Sequence, residues 1–184
     1  MYAWKSHFVI QSDYQHWAND VLFTSLDYLQ SDAIGSEQGL YFSSIHHTVD
    51  HMLMVSQSWL ARLQGEHLAV DYKIIHNPDW RELKLALRRE TRKLQAWLEA
   101  QPDAFFDQQI EYVGADGKFR TMWVRDALTH LCTHYAHHRG QVSAVAIRLG
   151  APCPEMDFLY YRREMERLLN EMKQAQPSEP EAEA

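Results

Sequence analysis

Residues 133–142 read Thr133-His134-Tyr135-Ala136-His137-His138-Arg139-Gly140-Gln141-Val142. The period on either side of this stretch decides the fold. Val124, Leu128, Leu131, Tyr135, His138, Val142, Val145 and Leu149 recur at steps of four and three. That is the apolar seam of a long helix packed in a bundle, and His138 holds one of its places. His134 and His138 lie one turn apart, so their rings stack on one face. Leu131, three before His134, and Val142, four after His138, tilt both rings toward the buried side. His137 points with Thr133, Gln141 and Arg148 on the wetter side. His130 lies a turn further back, placed either to support the pair or to face solvent. Two imidazoles at this spacing can chelate a metal ion, and the same pattern also serves hydrogen-bonded core histidines. The helix stops at Gly150 and Pro152.

Upstream, residues 7–29 carry a first helix with Phe8, Val9, Tyr14, Trp17, Ala18, Val21, Leu22, Ser25, Leu26 and Leu29 on one side. Asp13, Asn19 and Asp20 fall mostly on the other. Residues 31–36 break the period and read as a loop. A second helix spans residues 41–63, with Ile45, Val49, Met52, Val55, Trp59 and Leu63 as its stripe and Gly65 as its stop. His46, His47 and His51 lie in its first half. His51, four before Val55, flanks the stripe, and His47 competes with it as a partner for His134 and His138. All four together would make a four-histidine site. Three would leave coordination positions for water or substrate.

Residues 66–78 read as irregular, and a third helix follows over 79–100, opened by Pro78 and Asp79. Residues 109–113 then alternate, and Asp116-Gly117 leads into residues 118–122, the pattern of a short β-hairpin. A two-stranded hairpin is marginal alone, so it is expected to pack on the helices. A last helix covers residues 156–172. The organisation expected is an all-α four-helix bundle over residues 1–173, with a short β-hairpin before the fourth helix and an extra C-terminal helix. Residues 174–184, rich in Gln, Pro, Ser, Glu and Ala, read as a disordered acidic tail.

Composition narrows the function. The chain has 184 residues, 46% apolar, with 7 glycines and a formal net charge of −7. This suits one core-forming domain and gives no basic patch for nucleic acid. Arg88, Arg89, Arg92 and Lys93 alternate with Glu82 and Glu90, as on a solvated helix face. Two cysteines, Cys132 and Cys153, make no disulfide framework. Cys132, two residues from His134, points away from it as a small buried hydrophobe. Neither a signal peptide nor a membrane-spanning run is evident, so a cytoplasmic protein with reduced thiols is expected.

Four stretches resemble the DinB-like (damage-inducible, YfiT-related) metal-binding four-helix-bundle family. They are Tyr14-Gln15-His16-Trp17-Ala18-Asn19-Asp20; Ser44-Ile45-His46-His47-Thr48-Val49-Asp50-His51 followed by Trp59-Leu60-Ala61-Arg62-Leu63; residues 134–142; and Asp157-Phe158-Leu159-Tyr160-Tyr161. The resemblance implies a three-histidine metal site. Its first ligand falls on His51, eight residues before Trp59, and the other two on His134 and His138. His47 and His137 drop out. Zinc or nickel is the implied ion, and imidazole suits both. The implied activity is that of a metal-dependent enzyme, a transferase using a low-molecular-weight thiol or a hydrolase, working as a homodimer. The alternative is a homodimer without turnover, whose ion is structural or stress-related. Trp59 and Tyr135 are candidate cavity walls, though their spacing suits the core. Arg139 and Gln141 are candidates to support the site or an interface.

Overall fold

The computed structural model describes residues 3–114 and 116–175. Four long helices form the bundle: α1 (Trp4–Leu26), α3 (Ile45–Leu63), α4 (Trp80–Ala100) and α5 (Val124–Arg148). A one-turn helix, α2 (Ser31–Gly35), stands where a loop was expected. A 3-10 turn (Asp103–Asp107) and the hairpin β1 (Gln109–Val113) and β2 (Phe119–Trp123) precede α5. These belong to one compact unit ending at Pro154. The second unit, residues 155–184, contributes α6 (Phe158–Ala175), along which Arg167 pairs with Glu164 and Glu171 at 2.7 and 2.6 Å. α6 runs two residues into the stretch expected to be tail, and residues 176–184 of that tail lie outside the described residues.

Helix ends follow local chemistry. Ser44 caps α3 by accepting from the His47 amide at 3.1 Å, which moves the start to Ile45 from the expected residue 41. Asp79 caps α4 by accepting from the Glu82 amide at 2.8 Å. At the other end of α5, Gly150 takes a φ of +88°. Its amide and that of Ala151 reach back to the Ile147 and Ala146 carbonyls at 2.9 Å each. A residue with a Cβ would be strained in that left-handed position. Gly65 closes α3 in the same way, its φ at +77°.

α1 packs against α4 and α5, and α3 against α4 and α5. Leu22, Phe23, Leu53, Leu83, Leu87 and Leu98 are fully buried between them. Each such side chain contributes about 1.5–3 kcal/mol relative to exposure. The hairpin is antiparallel, pairing Gln109 with Trp123 through to Val113 with Phe119. It lies on α3, where the Tyr112 ring meets Trp59 at 5.2 Å, and the Val124 amide donates to the Gln108 carbonyl at 2.9 Å.

The interior is not wholly apolar. Arg139 is 2% exposed, and its Nη1 donates to Gln15 Oε1 at 2.6 Å and to Asn19 Oδ1 at 3.3 Å. Its guanidinium also lies 5.3 Å from the Tyr14 ring. Asn19, expected on the wet side of the first helix, is therefore 1% exposed: it faces a charge on α5 and not solvent. Tyr135 is fully buried nearby in the chain. Burial pushes its phenol up, and does the same to the Cys132 thiol, to about 12. A raised thiol stays protonated near pH 7, and Cys132, expected as a small buried hydrophobe, is half-buried.

Candidate metal centre

α3 and α5 touch along one face, and three imidazoles meet there. His51 Nε2 and His134 Nε2 are 3.2 Å apart. One ring nitrogen from each of His51, His134 and His138 lies within 4.8 Å of the others. Two nitrogens on ~2.1 Å bonds at a tetrahedral angle stand about 3.4 Å apart, so the closest pair matches the bite of one small ion. Among the described residues the group contains no fourth His, Cys, Asp or Glu.

The donors are in the state a metal requires. Burial holds the His51 imidazole down at about 4, helped by the neighbouring His138 and His47. Burial and the rings of His138, His51, His130 and His137 hold His134 at about 3. His138 is lowered too, chiefly by burial. All three rings are therefore neutral near pH 7, with lone pairs free. Gln141 Oε1 lies 2.8 Å from His138 Nδ1. An amide oxygen can only accept, so it fixes the proton on Nδ1 and leaves Nε2 as the donor atom. Gln141 was a candidate without an assigned role; one turn of helix gives it this one.

The surroundings come largely from connections between helices. The Phe42 ring stacks on His51 at 4.0 Å and stands 5.8 Å from His138. Ser43, which follows it, has a φ of +64°, an uncommon conformation for a residue with a Cβ. From the segment between α3 and α4, Tyr72 meets His51 edge-on at 5.2 Å. That segment is tied down by Asp50, which is 1% exposed. Its carboxylate accepts from the His76 and Asn77 amides at 2.9 Å each and from Asn77 Nδ2 at 2.7 Å. His46 Nε2 sits 2.7 Å from the Asn77 carbonyl and adds to the tie. His46, His47 and His51 thus have separate tasks on one helix. Phe42, Tyr72 and Asp50 were not foreseen as parts of the site. Asp50, a charged residue inside the apolar half of α3, was the available signal.

Two cavities open on the imidazoles. One, about 830 Å³, is lined by Tyr41, Phe42, Ser43, His47, His51 and Tyr72 among others. The other, about 390 Å³, is lined by Trp59, Arg62, Tyr72, Tyr112, His130 and His134 among others. Both sizes suit small molecules. Tyr72 lines both and stands at their boundary. Trp59 is thus a cavity wall, whereas Tyr135 belongs to the core. His47 stays outside the three-nitrogen group, with its Nε2 buried and unpartnered. His137 is exposed, and His130 stacks behind His134 at 5.6 Å.

Fold and site together define a helical bundle in which three neutral imidazoles from two helices could hold a metal ion. Residues 9–179 match the profile of the DinB family, and the chain belongs to that family. It is 22% identical over 157 residues to Protein DinB of Bacillus subtilis (strain 168), an alignment covering 81% of this chain and 90% of that relative. No helix among the described residues is long and apolar enough to cross a membrane.

Proposed function

We propose that His51, His134 and His138 hold a divalent metal ion, zinc or nickel, and that the protein is a metal-dependent enzyme of the thiol-dependent transferase or hydrolase type. The observation that carries this is the open three-nitrogen group: its donors converge from two helices, and cavities stand beside it. An ion held by three neutral ligands keeps its full charge, which lowers the pKa of water to about 7 and deprotonates a thiol outright.

The chain's own residues supply the rest. Gln141 holds His138 in the tautomer that presents Nε2. Phe42 and Tyr72 wall the imidazoles with aromatic surface, which limits the water around them and strengthens electrostatic attraction there. The Asp50 tie keeps Tyr72 in place. The two cavities offer separate room for a nucleophile and for the molecule it attacks. A homodimer in the cytoplasm belongs to the same reading, by the family resemblance.

Elemental analysis of the purified wild type and of the His134→Ala/His138→Ala double variant tests the ion. Metal near one equivalent in the wild type and little in the variant is expected; negligible metal in both overturns the reading. Cobalt substitution tests the chemistry. Adding a small thiol is expected to produce a sulfur-to-metal charge-transfer band, and its absence would favour the alternative of a structural or stress-related ion in a homodimer without turnover.

A further inference from the structure

The smaller cavity contains a cation whose hydrogen-bonding capacity is largely unused. Arg62, in the last turn of α3, lays its guanidinium over the Trp59 ring at 4.7 Å and over the Tyr112 ring at 5.2 Å. Its Nε is buried with no hydrogen-bond partner, and its Nη2 only grazes the Val113 carbonyl at 3.5 Å. Among the described residues, no Asp or Glu forms an ion pair with it, while the neighbouring Arg120 is already taken by Asp116 at 2.6 Å. A guanidinium resting on two adjoining rings has its fork largely fixed in advance, so less freedom is lost when a ligand binds. A guanidinium so held can take a carboxylate in two parallel hydrogen bonds.

The cavity links this cation to the imidazoles. Trp59 meets His130 at 5.3 Å, and His130 meets His134 at 5.6 Å. A molecule lying along this wall therefore meets a guanidinium at one end and a metal-ligand ring at the other.

We propose that the cavity lined by Trp59, Arg62, Tyr112, His130 and His134 is a subsite for a small carboxylate-bearing substrate, with Arg62 holding the carboxylate and so setting specificity. The proposal rests on the metal-dependent reading for the substrate's other end, and on the cavity alone for the carboxylate. Two thiols that differ by a carboxylate, N-acetylcysteine and N-acetylcysteamine, separate the two. In ¹⁵N spectra of the full-length protein, the Arg62 Nε–H signal is identified by its loss in Arg62→Met. In metal-free protein this signal is expected to shift saturably with N-acetylcysteine and to stay still with N-acetylcysteamine. In zinc-loaded protein N-acetylcysteine is expected to bind about tenfold tighter than N-acetylcysteamine, the worth of one charge-assisted hydrogen-bonded pair. That preference is expected to vanish in Arg62→Met and to fall partway in Arg62→Lys, which keeps the charge and loses the fork. An Nε signal unmoved by N-acetylcysteine with and without zinc overturns the proposal, as does a preference that survives in Arg62→Met. Failure to take up zinc would sink the metal reading while the metal-free shift still decides the role of Arg62.

Discussion

His138 and Arg139 are neighbours on α5, both buried, at 5% and 2% exposure, and they face different solutions to the same problem. Arg139 carries its own charge into the bundle and finds its acceptors there, on Gln15 and Asn19 of α1. That face is tied across the bundle by these bonds, with Arg139 Nη2 and Asn19 Nδ2 left buried without a partner. His138 turns toward His51 and His134, where three ring nitrogens converge and, among the described residues, no fourth His, Cys, Asp or Glu joins them. One buried polar cluster links α5 to α1 and serves cohesion. The other brings three lone-pair donors together and has cavities beside it. Burial of polar groups alone does not separate structure from function; which atoms converge, and whether a cavity reaches them, does.

Breaking each face should give opposite signatures. Arg139→Ala should cost the most stability, because it leaves the Gln15 and Asn19 oxygens buried without donors and opens a void. A loss of about 3 kcal/mol, or roughly 6–12 °C in Tm, is expected. Zinc bound per folded molecule should not change; calorimetry with metal analysis of the same samples checks both. Gln141→Ala should do the reverse. Without the acceptor on Nδ1 the His138 tautomer is free, and metal affinity should fall about 10–100-fold with little change in the Tm of the metal-free protein. Competition with a chromophoric chelator measures it, and an unchanged affinity would remove Gln141 from the site.

A smaller effect comes from Glu90 of α4, which is buried with Oε1 unpartnered and whose carboxyl is raised, mainly by burial and against the pull of Lys93. The folded state holds this proton more tightly than the unfolded chain. Its contribution is therefore full below the ordinary glutamate range and is lost as pH rises through the folded value. Glu90→Gln, which mimics the protonated form, should raise Tm at pH 7 and change it least near pH 4. A gain that does not depend on pH would assign the effect to packing instead.

The comparison also shows what a sequence can carry. The seam on α5 as far as Val145, the stops at Gly65 and Gly150 and the hairpin turn at Asp116-Gly117 are local, and all are present in the fold, whereas Leu149, the last seam position expected, is exposed. The converging histidines were legible for a related reason: two are separated by one helical turn, and the family resemblance supplied His51. What escaped depends on partners distant in the chain. Asn19 looked solvent-facing because its partner, Arg139, lies 120 residues away. Phe42 and Tyr72 sit in connections without a period, and the segment carrying Tyr72 is anchored by Asp50 and His46. The one-turn α2 is too short for a periodic signal. The first helix begins three residues earlier than expected, at Trp4, whose ring stacks on Phe8 at 5.8 Å.

The span between the ligands has a consequence in time. His51 and His134 are 83 residues apart, with α4 and the hairpin between them. Closing a loop of that length comes before the two rings can share anything, so an ion has no purchase on the early chain. An ion bound at the proposed site would engage once α3 and α5 have docked and would hold them from separating. Bound metal is therefore expected to act on the unfolding limb of the kinetics, lengthening the lifetime of the folded bundle while leaving its rate of formation nearly as it was. Stopped-flow folding and unfolding with and without zinc would show on which limb the ion acts.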